Sequence, residues 1–176
     1  MSEDSKLSDS DGIILVKTAR KAVTEFLSND SRIKLEPEFE KKFSFDSGVF
    51  VTLNKSNGLR GCIGFPMPEK KLSRAIVDGA IAAATEDPRF PAVTTKELDD
   101  ITFEVTVLTP PMEIDVSDPI EYLSKIKVGR DGLIIRHSFS SGLLLPQVPV
   151  EYGWNVEEFL QHTCEKAGLA RDTWKN

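Results

Sequence analysis

The sequence predicts an α+β fold, with a mixed or antiparallel sheet packed against helices. Hydrophobic residues recur at helical spacing in several segments, residues 101–107 alternate between apolar and polar side chains, and turn signals join short β-branched runs. Strands and helices follow one another unevenly, which favours α+β over a regular doubly wound sheet. The 176 residues are expected to form one domain, residues 11–176, behind a disordered tail of residues 1–10.

The first helix is predicted to begin at a capping residue, Ser10 or Asp11, and to continue to about residue 27. Its apolar residues recur three or four apart: Ile13, Val16, Ala19, Val23, Phe26 and Leu27. The pattern breaks around Pro37, and no structure is assigned up to residue 45.

A β-hairpin is predicted next. Residues 49–53 are β-branched and aromatic, Asn57 and Gly58 form a turn signal, and residues 59–64 resume an extended pattern. The helix that follows has a stripe of mostly small residues, which lets its backbone lie close to the sheet. The stripe consists of Leu72, Ala75, Ile76, Gly79, Ala80 and Ala83.

Prolines and capping residues divide the rest of the chain. Residues 87–91 (DPRFP) end the second helix, and residues 101–107 form the clearest strand. Asp118 begins a short helix that ends near residue 126. A second hairpin is predicted, with strands over 133–137 and 143–145 and a turn of residues 138–142. A last helix is predicted to begin at a capping box of Asn155 and Glu158 and to end at Gly168.

Composition narrows the classes of function. The net charge of −6 argues against a general nucleic-acid binder, because non-specific affinity depends on clustered Lys and Arg. No apolar run approaches the roughly 20 residues of a membrane-spanning helix, and the acidic N-terminus does not resemble a secretory signal. We therefore expect a cytoplasmic protein without a membrane partner, in which Cys62 and Cys164 are thiols.

The candidate site centres on Cys62. Side chains alternate on a strand, so Arg60, Cys62 and Gly64 are expected to share one face, while Leu59, Gly61 and Ile63 face the core. A nearby cation lowers the pKa of a thiol, and glycines leave room for a ligand or another backbone. The alternative is a Cys62 buried as a small hydrophobe, with Arg60 in a structural ion pair.

The length of the hairpin loop bears on these alternatives. An odd-numbered loop would place Thr52 opposite Cys62 and Asn54 opposite Arg60, giving a polar face. An even-numbered loop would place Val51 and Leu53 there instead, which favours a buried thiol.

Other candidate residues lie outside the hairpin. Glu104, on the polar face of the clearest strand, is a candidate general base if it is partly desolvated, and otherwise an exposed side chain. Asp87 and Arg89 orient a ligand, pair with each other, or belong to a rigid turn. Gln147 is a candidate amide donor. The spacing of the cysteines and of His137 and His162 matches no common zinc pattern, so no metal is predicted, and any cofactor is left open.

Four ordered motifs resemble those of the AMMECR domain family, over roughly residues 12–175. They are LRGCIG at 59–64, DPRFP at 87–91, GLLLPQV at 142–148, and GW at 153–154 with KAGL at 166–169. The resemblance implies an α+β fold with a larger and a smaller lobe around a cleft, and the first motif near it. It implies no reaction. Family members are often encoded beside, or fused to, Memo-type and radical-SAM proteins. This sequence departs from the family pattern at Phe65 and the residues that follow it, where many relatives carry a small polar residue.

Two functions remain open. In the first, the chain is an enzyme or accessory catalytic subunit acting on a small molecule or a modified residue. Cys62 supplies a thiolate, Arg60 lowers its pKa and binds an anionic group, and Asp87 or Glu104 positions the substrate. In the second, the chain is a non-catalytic adaptor that docks Memo-type or radical-SAM proteins through the glycine-rich strand and residues 144–146.

Overall fold

A computed structural model describes residues 7–176, whose contacts group into two compact units. The first unit ends at Pro110, and the second extends from Pro111 to Asn176. Both contain helices and an antiparallel sheet, which confirms the α+β prediction. The predicted tail falls largely on residues 1–6, which lie outside the described residues. Within residues 7–176, no helix is long and apolar enough to cross a bilayer.

Between residues 7 and 110, the first unit contains one three-stranded antiparallel sheet and three α-helices. Its helices are α1 (Asp9–Asn29), α2 (Pro37–Lys42) and α3 (Leu72–Thr85). Its strands are β1 (Val49–Lys55), β2 (Gly58–Phe65) and β3 (Ile101–Val107), in the spatial order β2-β1-β3. A 3₁₀ helix, Thr95–Asp100, leads into β3.

Helix α1 begins earlier than its apolar pattern predicts. Ser8 is the capping residue, and its hydroxyl accepts a hydrogen bond from the Asp11 amide, while the Asp11 carboxylate accepts one from the Ser8 amide at 2.9 Å. The prediction of a cap at Ser10 or Asp11 was wrong, because Asp11 is the third helical residue of a capping box.

The hairpin between β1 and β2 combines an even-numbered loop with a bulge. Its turn consists of Ser56 and Asn57, both with positive φ (50° and 62°), and Lys55 pairs with Gly58. The pairing shifts between Leu53↔Gly61 and Asn54↔Leu59. One residue of β2, Arg60, therefore has no partner on β1.

The bulge shifts the pairing by one residue, so Val51 does not lie opposite Cys62 as the even-numbered loop alone would require. Thr52 lies opposite Cys62, as predicted for an odd-numbered loop. The other pair of that alternative, Asn54 with Arg60, does not form, because Asn54 faces Leu59. Leu59 was predicted to face the core and is instead 42% exposed.

The core of the first unit lies between the sheet and helices α1 and α3. Val49, Val51 and Leu53 of β1 are fully buried there. Helix α3 approaches so closely that a Cβ added at Gly61 would lie 2.1 Å from the carbonyl oxygen of Ala83. The small-residue stripe of α3 therefore packs on the sheet, as predicted.

The second unit packs a two-stranded sheet against helices. It contains a 3₁₀ helix Pro119–Glu121, α4 (Tyr122–Lys125), β4 (Leu133–His137), β5 (Ser140–Leu144), α5 (Gln147–Tyr152), α6 (Val156–Lys166) and a final 3₁₀ turn, Thr173–Lys175. The capping box of Asn155 and Glu158 is confirmed. The predicted five-residue turn was wrong, since only Ser138 and Phe139 lie between β4 and β5. Helix α5 was not predicted.

Replacing Gly61 by alanine tests the close approach of α3. The added methyl group would overlap the Ala83 carbonyl, so we expect a loss of about 1–3 kcal/mol in the free energy of unfolding, measured with urea. Gly12→Ala is the matched control, because its Cβ would meet nothing within 4 Å and α1 would gain about 0.5–1 kcal/mol. Equal stability of the Gly61→Ala variant and the wild type would contradict the packing.

Candidate functional site

Three side chains form a row across the sheet of the first unit. Cys62 on β2 lies opposite Thr52 on β1, which lies opposite Glu104 on β3. Directly opposed residues project from the same face of a sheet, and here it is the face turned away from α3. Cys62 and Thr52 are half-buried and Glu104 is exposed. The structure thus places Cys62 and Glu104, both predicted from the sequence, on one face of the sheet two strands apart, with Thr52 between them.

The sulfur of Cys62 has a hydrogen-bond donor. The Thr52 hydroxyl donates to Sγ across 3.3 Å. Because Cys62 is only half-buried, its environment differs from that of Cys164, which is fully buried in α6. Burial raises the pKa of the Cys164 thiol.

The backbone of Cys62 is bound by two side chains from residues 87–91. Its N–H donates to Oδ2 of Asp87 at 2.8 Å, and its carbonyl accepts from Nη2 of Arg89 at 3.3 Å. Strand β2 is at one edge of the three-stranded sheet, where backbone groups have no neighbouring strand. Asp87 and Arg89 thus take the place of a fourth strand at this one residue.

Asp87 and Arg89 also bind each other. Nε of Arg89 lies 2.9 Å from Oδ1 of Asp87, and Nη2 lies 2.7 Å from Oδ2. The Asp87 residue is 4% exposed, yet the Arg89 guanidinium, helped by the Cys62 amide, holds the pKa of this carboxyl well below its usual range. Hydrogen bonding to Asp87 likewise raises the pKa of Arg89. Of the alternatives for these two residues, the structure shows the pair.

Arg60 binds a different carboxylate. Its Nε and Nη2 each lie 3.2 Å from an oxygen of Glu97, and Nη1 donates to the Pro91 carbonyl at 2.9 Å. The Arg60 side chain is 13% exposed. Hydrogen bonding to Arg60, with further bonds from Thr94, lowers the pKa of Glu97 to about 2. The bulge interrupts the regular alternation at Arg60, so the spacing that was expected to put Arg60 on the face of Cys62 does not apply there.

Packing accounts for the two glycines that were candidates for a ligand-binding role. Gly61 faces α3, on the side of the sheet opposite the Cys62 row. A Cβ at Gly64 would lie 2.5 Å from the ring of Phe50 and 2.3 Å from the carbonyl of Val49. A ligand role for either glycine stays a prediction.

One further candidate, Gln147, lies in the second unit. Gln147 is the first residue of α5 in the second unit, and its side chain is exposed. Its role as an amide donor stays a prediction. Within residues 7–176, no group of three or more His, Cys, Asp or Glu side chains is arranged to hold a metal ion.

A shallow polar depression adjoins the row and was not predicted. Asn54, Ser56, Asn57 and Thr102 line it. The turn signal at Asn57 and Gly58 located the loop, but it did not show that Thr102, from β3, lies opposite Asn54. Glu97, the partner of Arg60, was also missed, because a carboxylate 37 positions away gives no local signal.

Comparisons with known proteins agree with the fold. The sequence profile of the AMMECR1 family matches residues 16–176. A protein of Methanothermobacter thermautotrophicus is 52% identical over 166 residues, which cover 94% of this chain and 86% of the relative. A protein of Thermococcus gammatolerans is 52% identical over 174 residues, covering 96% and 84%. The crystal structure of an uncharacterized protein from Pyrococcus horikoshii superimposes with a TM-score of 0.90 at 48% identity, covering 97% of this chain and 86% of that one.

Removing the Asp87 carboxylate tests its hold on β2. Asp87→Ala leaves a buried amide without its acceptor, so we expect a loss of about 2–3 kcal/mol in the free energy of unfolding at neutral pH. Because the pKa of Asp87 is depressed in the folded state, this contribution is fully present above the unfolded pKa of about 4, begins to decline below it, and is lost only as the pH falls through the lower folded pKa, so the difference between the variants should be smaller at about pH 3 than at neutral pH. Urea unfolding at neutral pH and at about pH 3 measures both effects.

Asp46→Ala is the control for that experiment. Asp46 pairs with Lys71, but both side chains are about half exposed, so the expected change is within about 1 kcal/mol. A loss for Asp87→Ala no greater than that of the control would show that the carboxylate does not hold the strand.

Proposed function

The chain belongs to the AMMECR1 family, and from that premise we propose that residues 59–64 carry a nucleophilic site. In this site the Cys62 sulfur attacks an electrophilic carbon of a small molecule or a modified residue. The observation that carries the proposal is the hydrogen bond from the Thr52 hydroxyl to the sulfur of a cysteine that is only half-buried.

Thr52 stabilises the reactive form of the sulfur. A hydroxyl that donates to a thiolate favours the charged over the neutral state, and the thiolate is the nucleophile. The Thr52 hydroxyl needs no rearrangement for this role, because it already lies 3.3 Å from Sγ. Charge that develops on the sulfur therefore meets a donor that is in place.

Arg89 takes over part of the role first expected of Arg60. It is the cation that contacts the Cys62 backbone, at 3.3 Å from the carbonyl oxygen. Asp87 offsets most of the Arg89 charge, so the main task of the pair is to fix the position of Cys62. Arg60 acts further away, as a positioning residue that stabilises the bulge through Glu97.

The proposed reaction is a substitution at carbon. The thiol proton leaves to solvent, the electron pair of the thiolate forms a bond from sulfur to carbon, and the leaving group departs with the electrons of its own bond and takes up a proton. Two strand spacings separate the Cα atoms of Glu104 and Cys62 by about 10 Å. We therefore assign Glu104 to the substrate side, where its exposed carboxylate accepts a hydrogen bond that positions the substrate, and the leaving group takes its proton from solvent.

A second candidate function is a docking role. The exposed side chain of Leu59 lies on the same hairpin as Cys62, opposite Asn54. An exposed leucine on an edge strand suits contact with another protein. We propose Memo-type and radical-SAM proteins as the partners for this role, on the basis of the family resemblance.

Replacing Thr52 by valine tests the nucleophilic site. Valine keeps the shape and removes the donor, which is worth about 1 kcal/mol, so alkylation of Cys62 by iodoacetamide at neutral pH should slow about fivefold. Cys164→Ala in all variants restricts the reaction to one thiol. Thr52→Ser, which keeps the hydroxyl, should react at the wild-type rate. Equal rates for the valine and serine variants would remove the support for an activated sulfur.

Replacing Leu59 by serine tests the docking role. If the exposed leucine contacts a partner, binding to a purified Memo-type or radical-SAM protein, measured by calorimetry, should weaken at least about tenfold, which is the usual scale for losing a central apolar contact. Met112→Ser, which changes an exposed apolar side chain of the second unit, serves as the control. Unchanged affinity for Leu59→Ser would exclude this surface as the docking site.

A further inference from the structure

The polar depression beside the Cys62 row has a uniform chemistry. Asn54 and Asn57 contribute amides, and Ser56 and Thr102 contribute hydroxyls. Amides and hydroxyls both donate and accept hydrogen bonds, and none of the four side chains carries a charge. The lining therefore matches a ligand group that also carries both donors and acceptors.

The depression opens on the face that carries Cys62. Asn54 and Thr102 lie opposite each other on β1 and β3. Each is two residues along its strand from a member of the row, Asn54 from Thr52 and Thr102 from Glu104. Residues two apart project from the same face and are separated by about 7 Å. A small molecule bound in the depression would thus be long enough to reach the row of Cys62, Thr52 and Glu104.

The surrounding charges disfavour an anionic ligand. Glu104 is exposed on the same face, next to Thr102 along β3. The cations of the hairpin, Lys55 and Arg60, both form ion pairs with Glu97. A phosphate or carboxylate in the depression would therefore meet a neighbouring carboxylate and no cation from the lining.

The turn retains side chains where its backbone favours glycine. Ser56 and Asn57 both have positive φ, a conformation that costs a residue with a Cβ more than it costs glycine. A two-residue hairpin turn of this kind most often has glycine at one of these positions. Here both positions instead supply a hydrogen-bonding side chain to the depression.

We propose that this depression binds an uncharged group rich in hydroxyls or amides, such as a sugar ring. The bound group would belong to the substrate whose electrophilic carbon reaches Cys62, and this second part rests on the proposed function. The binding itself does not depend on any reaction at the sulfur.

A titration followed by ¹H–¹⁵N NMR of the full chain tests the proposal. The probes are N-acetylglucosamine, which is uncharged and carries hydroxyls and an amide, and N-acetylglucosamine 6-phosphate, which is the same sugar with a charged group. We expect N-acetylglucosamine to shift the side-chain amide signals of Asn54 and Asn57, and N-acetylglucosamine 6-phosphate to bind at least about fivefold more weakly.

Asn57→Gly makes the test independent of misfolding. Glycine relieves the positive φ, so the variant should fold at least as well as the wild type, but it lacks the amide. Loss of one hydrogen-bonding partner should weaken binding of N-acetylglucosamine about fivefold. Ser138→Gly is the matched control, because Ser138 also has positive φ in a hairpin turn, that of the second unit. It should leave the affinity unchanged.

Three results would overturn the proposal: no shift of the asparagine signals with N-acetylglucosamine, equal affinity for N-acetylglucosamine 6-phosphate, or unchanged affinity of Asn57→Gly. The titration measures binding alone, whereas alkylation of the Thr52 variants measures the reactivity of the sulfur. Failure of one is therefore distinguishable from failure of the other.

Discussion

A single extra residue in β2 determines what the open face of the sheet presents. The two-residue turn by itself would place Val51 opposite Cys62, but the bulge at Arg60 shifts the pairing so that Thr52 lies there. The Arg60 guanidinium binds Glu97 and the Pro91 carbonyl. These contacts fix the position of Arg60, which has no partner residue on β1. The hydroxyl at the Cys62 sulfur thus depends on an ion pair formed elsewhere in the first unit.

The motifs at residues 59–64 and 87–91 act as one structural element. Asp87 and Arg89 bind the backbone of Cys62 on the side away from β1, while Thr52 binds its side chain on the other. A buried carboxylate is stable there because Arg89 and the Cys62 amide both donate to it. This arrangement protects the edge strand and holds the sulfur in position, so one set of contacts serves both the fold and the proposed chemistry.

Local sequence patterns predicted the parts of the fold that local physics determines. Alternation located β3, the stripe of small residues predicted the close packing of α3, and the capping box of Asn155 and Glu158 placed the start of α6. The bulge was not predictable in this way, because the partner of Arg60 is 37 positions away. For the same reason the sequence associated the thiol with Arg60, whereas the structure places Arg89 at its backbone.

Disulfide trapping tests the register that places Thr52 beside the sulfur. Cys62 directs its backbone groups away from β1, so it forms a non-hydrogen-bonded pair with Thr52, in which side chains are closest. In the Cys164→Ala background, Thr52→Cys should therefore form a disulfide with Cys62 on mild oxidation, detected by mass spectrometry after proteolysis. A disulfide from Val51→Cys instead would mean that the hairpin pairs without the bulge and that Thr52 does not lie beside the Cys62 sulfur.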